Sequence, residues 1–185
     1  MKTAMIIHGS FGHPGENWFP WLKGKLEELG YKVLLPQFPT PENQSPESWF
    51  EVFEQYRNQI GEESILIGHS YGGAFLLRVL ESLAVRVKLS VIVAGTAGVK
   101  PIKFYERDRS IVENGFDWTK IRAASENFLV FHSADDPYIC IENGEKIAAG
   151  VGTKLQRFEH EGHFNGEAGY DKFELLLEMI NSFKF

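Results

Sequence analysis

The chain holds one cysteine, Cys140. No intramolecular disulfide can form, and a reducing, cytoplasmic compartment is the expectation. Long hydrophobic runs are also missing. The apolar stretch near the start covers only Ala4 to Ile7, too short for the core of a signal peptide or for a membrane span. Asn43-Gln44-Ser45 matches a glycosylation sequon, but without a secretory signal it reads as a chance match. Positive charge is in short supply: 19 Lys and Arg face 25 Asp and Glu, a formal net charge of −6. The basic residues are scattered, which argues against nucleic acid and anionic membranes as partners. Internal repeats, low-complexity segments and interdomain linkers are absent from the sequence as well.

What is present reads as globular, with 43% hydrophobic and 24% charged residues in 185. That length fits one domain, residues 1–185, built on a single layered core. Short apolar runs, several of them unbroken Ile, Val and Leu, recur at Ala4–Ile7, Lys32–Leu35, Ile65–Ile67, Val87–Val93, Phe128–Phe131 and Lys154–Phe158. Runs of this kind suit strands buried on both faces. Between them lie helical patterns. Trp18, Leu22, Leu26 and Leu29 recur at helical spacing and stop at Gly30. Ser45 is placed to cap a helix with Pro46 at its first position, and Trp49, Phe53, Tyr56 and Ile60 form its apolar face. Further helices are expected over 71–84, 139–149 and 167–183, the last with a stripe of Phe173, Leu176, Leu177, Ile180 and Phe183. This β-α alternation, repeated about six times, predicts an α/β fold: a mainly parallel sheet of about six strands with helices on both faces. Residues 96–126 are the least regular and are expected to place short helices above the sheet edge.

Ligands in such a sheet bind beyond the carboxyl ends of the strands. Gly68-His69-Ser70-Tyr71-Gly72-Gly73 sits at one of these ends. It matches G-x-S-x-G between a strand and a helix, the context in which a serine is pushed out on a sharp turn as a nucleophile. A serine needs a base, and the base an orienting acid; in this arrangement the chain order is Ser, acid, His. The loop after the fifth strand holds Asp135 and Asp136, and the loop after the sixth holds His160 and His163. Asp136 is favoured because Pro137 holds it in extended geometry, with Asp135 kept as the alternative. His163, between Gly162 and Phe164, is favoured over His160. The oxyanion hole would take the backbone N–H of Tyr71 and that of Ser10 or Phe11. His8 and His69 read as packed histidines. Phe11, Trp18, Phe104, Tyr105, Phe116 and Trp118 are candidate pocket aromatics.

His8-Gly9, Trp18-Phe19-Pro20-Trp21-Leu22, the segment Pro36 to Pro41, Trp49, Gly68-His69-Ser70, Asp136-Pro137 and Gly162-His163-Phe164 together resemble the small single-domain serine hydrolases of the retinoblastoma-binding protein 9 type, bacterial relatives included. The resemblance spans nearly the whole chain. It implies an open α/β-hydrolase fold with a small cap and the triad Ser70, Asp136 and His163. The Leu-x-Cys-x-Glu segment of the vertebrate member has only Tyr138-Ile139-Cys140-Ile141-Glu142 as a counterpart here, a coincidence at a helix start, so no protein partner is carried over.

The expected activity is therefore that of a serine hydrolase, cleaving a small carboxylic ester or amide through an acyl-enzyme, with no metal or organic cofactor. Two other classes compete. One is an interaction module that keeps the fold without turnover. The other is a metal hydrolase using His160-Glu161-Gly162-His163, which is one residue shorter than the zincin spacing and lies on a glycine loop.

Overall fold

A computed structural model describes residues 2–183. Six strands form one sheet: β1 (Thr3–Ile7), β2 (Lys32–Leu34), β3 (Ile65–His69), β4 (Val87–Val93), β5 (Ser125–Ser133) and β6 (Leu155–Phe158). Their order is β2-β1-β3-β4-β5-β6, and every pairing is parallel. The carboxyl ends of all six strands therefore face one edge. That edge receives the loops after β1, β3, β5 and β6 on which the candidate site residues lie.

The helices are α1 (Phe19–Glu28), α2 (Pro46–Glu54), α3 (Tyr71–Ser82), α4 (Tyr105–Asp108), α5 (Trp118–Ala124), α6 (Glu142–Val151) and α7 (Glu174–Ser182). Alternate strand residues feed two apolar layers. Met5 and Ile7 of β1 pack with Trp49 and Phe53 of α2, Phe75 of α3, Ile121 of α5 and Ile147 of α6. Ala4 and Ile6 face the other way, toward Phe19, Leu22 and Leu26 of α1 and Leu176 and Ile180 of α7. A sheet covered on both faces explains why its strands are near-continuous Ile, Val and Leu.

The start of α2 follows from its sequence. Ser45 and Ser48 cap each other reciprocally, Ser48 N–H donating to Ser45 Oγ at 3.1 Å and Ser45 N–H to Ser48 Oγ at 3.2 Å, with Pro46 in the first turn. Elsewhere the elements depart from their expected limits. The helix expected from residue 139 starts at Glu142, because the backbone before it forms a turn around the Asp136 carboxylate. The helix expected over 167–183 starts at Glu174: the Asn165 side chain closes a short 3-10 turn over 166–168, and Gly169, at φ 85°, ends it in the left-handed region. Strand β5 is longer than its apolar run, from Ser125 to Ser133, because its backbone pairs with β4 on one side and β6 on the other. The irregular region between β4 and β5 contributes α4, a small cap, and α5, whose Ile121 joins the core layer of Met5 and Ile7.

Candidate active site

Ser70 stands between β3 and α3 with φ 58° and ψ −124°, a conformation that non-glycine residues rarely hold and that costs on the order of 1–3 kcal/mol. The turn is kept by Ser70 N–H donating to Val93 O and Gly73 N–H to Ser70 O, both at 2.9 Å. Close approach of backbone to backbone accounts for the glycines. A Cβ at Gly68 would collide with the Gly72 carbonyl, and one at Gly72 with the carbonyls of His8 and Ile7. The Gly9 backbone also lies against the serine, since a Cβ there would meet Ser70 Cβ at 2.8 Å. The loop after β1 is thereby seated beside Ser70.

From the other side of the same edge comes His163, on the loop after β6. Its Nδ1 lies 2.7 Å from Asp136 Oδ2. The Asp136 side chain is wholly buried, and its Oδ1 accepts the N–H groups of Tyr138 (2.9 Å) and Ile139 (3.1 Å). A carboxylate held by two backbone donors cannot swing away from the imidazole. The ring of His163 is flanked by His69 and Tyr138, with centroids 4.8 and 4.9 Å away. His69 also donates from Nε2 to the His163 carbonyl at 2.8 Å. Complete burial pushes His69 down to about 3, and the neighbouring His163 adds to the shift, so His69 is a neutral donor.

The remaining candidates separate cleanly. Asp135 accepts Ser133 Oγ–H (2.6 Å) and Gly162 N–H (2.9 Å), which hold its carboxyl below the usual range. It braces the His163 loop without touching the imidazole. His160 is exposed and faces Asp135 at 3.9 Å. The two histidines of that loop thus engage different carboxylates. Among the described residues, no group of three or more His, Cys, Asp or Glu side chains has a geometry that could hold a metal ion. His8 is fully buried, accepts Phe38 N–H at Nε2 (2.9 Å) and is kept neutral by that burial.

Ser70, His69 and His163 line a cavity of about 470 Å³, with Gly9, Ser10 and Phe11 on one wall and Phe104, Asp108 and Tyr138 on another. Of the expected pocket aromatics, Phe11 and Phe104 line it, their rings 5.4 Å apart, and both are exposed at its mouth. Trp18 is buried behind the site, donating from Nε1 to Phe164 O at 2.9 Å. Tyr105, Phe116 and Trp118 are not part of the lining; they pack against the core. Tyr138 was not among the sequence candidates. It faces the cavity and donates its hydroxyl to Glu167 at 2.7 Å.

The two backbone N–H groups of the loop after β1 differ. Phe11 N–H donates to Thr40 Oγ1 at 2.7 Å. The N–H groups of Ser10 and Tyr71 have no acceptor among the described residues.

A family model described as serine hydrolase matches residues 4–182. The chain belongs to the serine hydrolase family. It is 26% identical over 182 residues to YdeN of Bacillus subtilis (strain 168), an alignment covering 98% of this chain and 96% of YdeN. It is also 26% identical over 180 residues to serine hydrolase RBBP9 of Rattus norvegicus, covering 96% and 95%. The crystal structure of the ydeN gene product superimposes with a TM-score of 0.91 over 98% of both chains. A meta-cleavage product hydrolase from Pseudomonas fluorescens IP01, 17% identical, matches with a TM-score of 0.71 over 100% of this chain and 92% of that one, a likeness of fold alone. This serine hydrolase has the α/β-hydrolase fold, and no helix among its described residues is long and apolar enough to cross a membrane.

Proposed function

We propose that this serine hydrolase cleaves a small carboxylic ester or amide through a Ser70–His163–Asp136 triad. The observation that carries the reading is the imidazole of His163, tied through Nδ1 to the buried Asp136 carboxylate and lining one cavity with the strained Ser70. His163 Nε2 takes the Ser70 hydroxyl proton as Oγ adds to the acyl carbonyl. Asp136 holds the Nδ1–H tautomer and stabilises the imidazolium. The oxyanion is received by the N–H groups of Tyr71, at the start of α3, and Ser10, both without an acceptor among the described residues. His163 then returns the proton to the leaving alcohol or amine. A water molecule, deprotonated by the same Nε2, adds to the acyl-enzyme, and the collapse of that intermediate releases the acid and restores Ser70. Phe11 is not a donor in this scheme, because Thr40 already accepts its N–H. No cofactor enters any step.

The open cavity supports a small substrate, with Phe11 and Phe104 offering its apolar part a surface. The single sheet with apolar layers on both faces supports residues 1–185 as one domain, and the lone Cys140 supports a cytoplasmic setting.

A fluorophosphonate probe and a panel of p-nitrophenyl esters test the reading. The wild type should be labelled at Ser70, and Ser70→Ala should lose both labelling and turnover, kcat falling by roughly 10⁴ to 10⁶. Turnover by Ser70→Ala above about a tenth of wild type would remove Ser70 from the mechanism. A folded wild type that neither takes the probe nor cleaves any ester would favour the binding-module reading.

A further inference from the structure

Residues 40–44 lie on the connection between β2 and α2 and contain no expected site residue. Gln44, the middle of the apparent sequon, is nevertheless half-buried at the junction of three segments. Its Nε2 donates to Ser10 Oγ at 2.8 Å and to Asp108 Oδ1 at 3.0 Å. Ser10 Oγ in turn donates to the same Asp108 oxygen at 3.2 Å. On its other side Gln44 Oε1 accepts the Thr40 hydroxyl at 2.6 Å, and that hydroxyl accepts Phe11 N–H at 2.7 Å. The amide orientation is set by its partners. Thr40 already accepts from a backbone N–H, so its hydroxyl proton needs an oxygen, and the nitrogen of Gln44 is left to face the carboxylate.

One side chain therefore holds two successive residues of the loop after β1, Ser10 directly and Phe11 through Thr40. Phe11 sits at φ 60°, a conformation that persists only where its surroundings enforce it. Asp108 closes α4, the helix of the cap, and Arg107 fixes it through Nε to Oδ1 at 2.8 Å. With Phe11 N–H engaged, Ser10 N–H, which has no acceptor among the described residues and belongs to a residue lining the cavity, is the donor of that pair still free to meet a ligand. A hydrogen-bond donor serves an oxyanion only when held within a few tenths of an ångström of its working distance.

We infer that Gln44 is a positioning residue for the oxyanion loop and that it couples this loop to the cap through Asp108. The inference rests on Ser70 being the nucleophile. Gln44 touches no reacting atom. It fixes where the Ser10 N–H stands, so its loss acts on the transition state and leaves ground-state binding in place.

The experiment measures kcat and KM separately on p-nitrophenyl acetate for wild type, Gln44→Ala, Gln44→Glu, the double variant Gln44→Glu/Asp108→Asn, Thr40→Val and Ser70→Ala. Gln44→Ala should lower kcat by about 10- to 100-fold, the scale of a small misplacement at a reacting centre, with KM changed less than about threefold. Gln44→Glu sets two carboxylates face to face and should lose at least as much. Adding Asp108→Asn restores a donor opposite an acceptor and should recover about tenfold. Thr40→Val, close to isosteric, frees Phe11 N–H and should lower kcat in the same way, and it decides the matter should the Gln44 variants not fold. The inference is overturned if Gln44→Ala and Thr40→Val keep kcat within about twofold, if the loss falls on KM alone, or if the double variant is no better than Gln44→Glu. Those results with an inactive Ser70→Ala would leave the nucleophile assignment standing. Turnover by Ser70→Ala would remove that assignment and this inference together.

Discussion

Asp136 Oδ2 lies 2.7 Å from His163 Nδ1, while Asp135, one residue earlier, turns its carboxylate to Ser133 and the Gly162 N–H. Adjacent aspartates thus hold the same loop by different means: one orients the imidazole and the other supports the backbone next to it. Asp136→Asn should lower kcat by about 10⁴, the scale seen when a serine protease loses its orienting carboxylate. Asp135→Asn keeps an oxygen for Gly162 N–H and should change kcat by less than about threefold. Steady-state kinetics on one ester separates the two. An exchange of these behaviours would make Asp135 the acid.

His8, His69 and His132 are buried, and in each case burial is the first cause lowering the pKa, to about 3 for His69. In the unfolded chain such groups titrate near about 6.5. Below that pH the unfolded state takes up protons that the folded state refuses. Stability should therefore be full above about pH 6.5 and fall as the pH drops toward the folded values, by up to about 1.4 kcal/mol per pH unit for each histidine. Urea unfolding at pH 7.5 and 5.5 checks this. His69→Asn should flatten the slope by about one histidine's share; a wild-type stability that does not change over that interval would contradict the neutral state of all three.

Gly72→Ala should be strongly destabilising, by about 3 kcal/mol or more, because the new methyl would meet the carbonyls of His8 and Ile7, which have no room to retreat. Gly24 is the contrast. It lies inside α1 with nothing within 4 Å of an added Cβ, so Gly24→Ala should stabilise by about 0.5–1 kcal/mol. Chemical denaturation of the two variants tests whether close helix–strand approach, and not a general intolerance of alanine, keeps glycine at the elbow.

The class of the fold was legible from the order of residues alone. Alternating apolar runs and helical stripes are short-range patterns, and they imply a parallel sheet covered on both faces whatever the details of packing. The sequence also singled out Ser70 as the candidate nucleophile, since Gly68-His69-Ser70-Tyr71-Gly72 carries its own strand–turn–helix context. The loops after β5 and β6 could be named as sources of a candidate acid and base because parallel strands bring their carboxyl ends to one edge. Pro137 favours Asp136 over Asp135 along the chain, but the contact itself is tertiary: the direction each of these adjacent carboxylates takes depends on partners 27 residues away. That Phe11 N–H is engaged was likewise invisible, because its acceptor, Thr40, lies 29 residues from Phe11. Gln44 carried no local signal. Its neighbours Ser10 and Asp108 lie 34 and 64 residues distant, joined to it by the packing of cap and sheet edge and not by any spacing along the chain. Periodicity reports which face of an element is buried; the meeting of polar groups from separate loops depends on sheet register and cap placement, which no local pattern encodes.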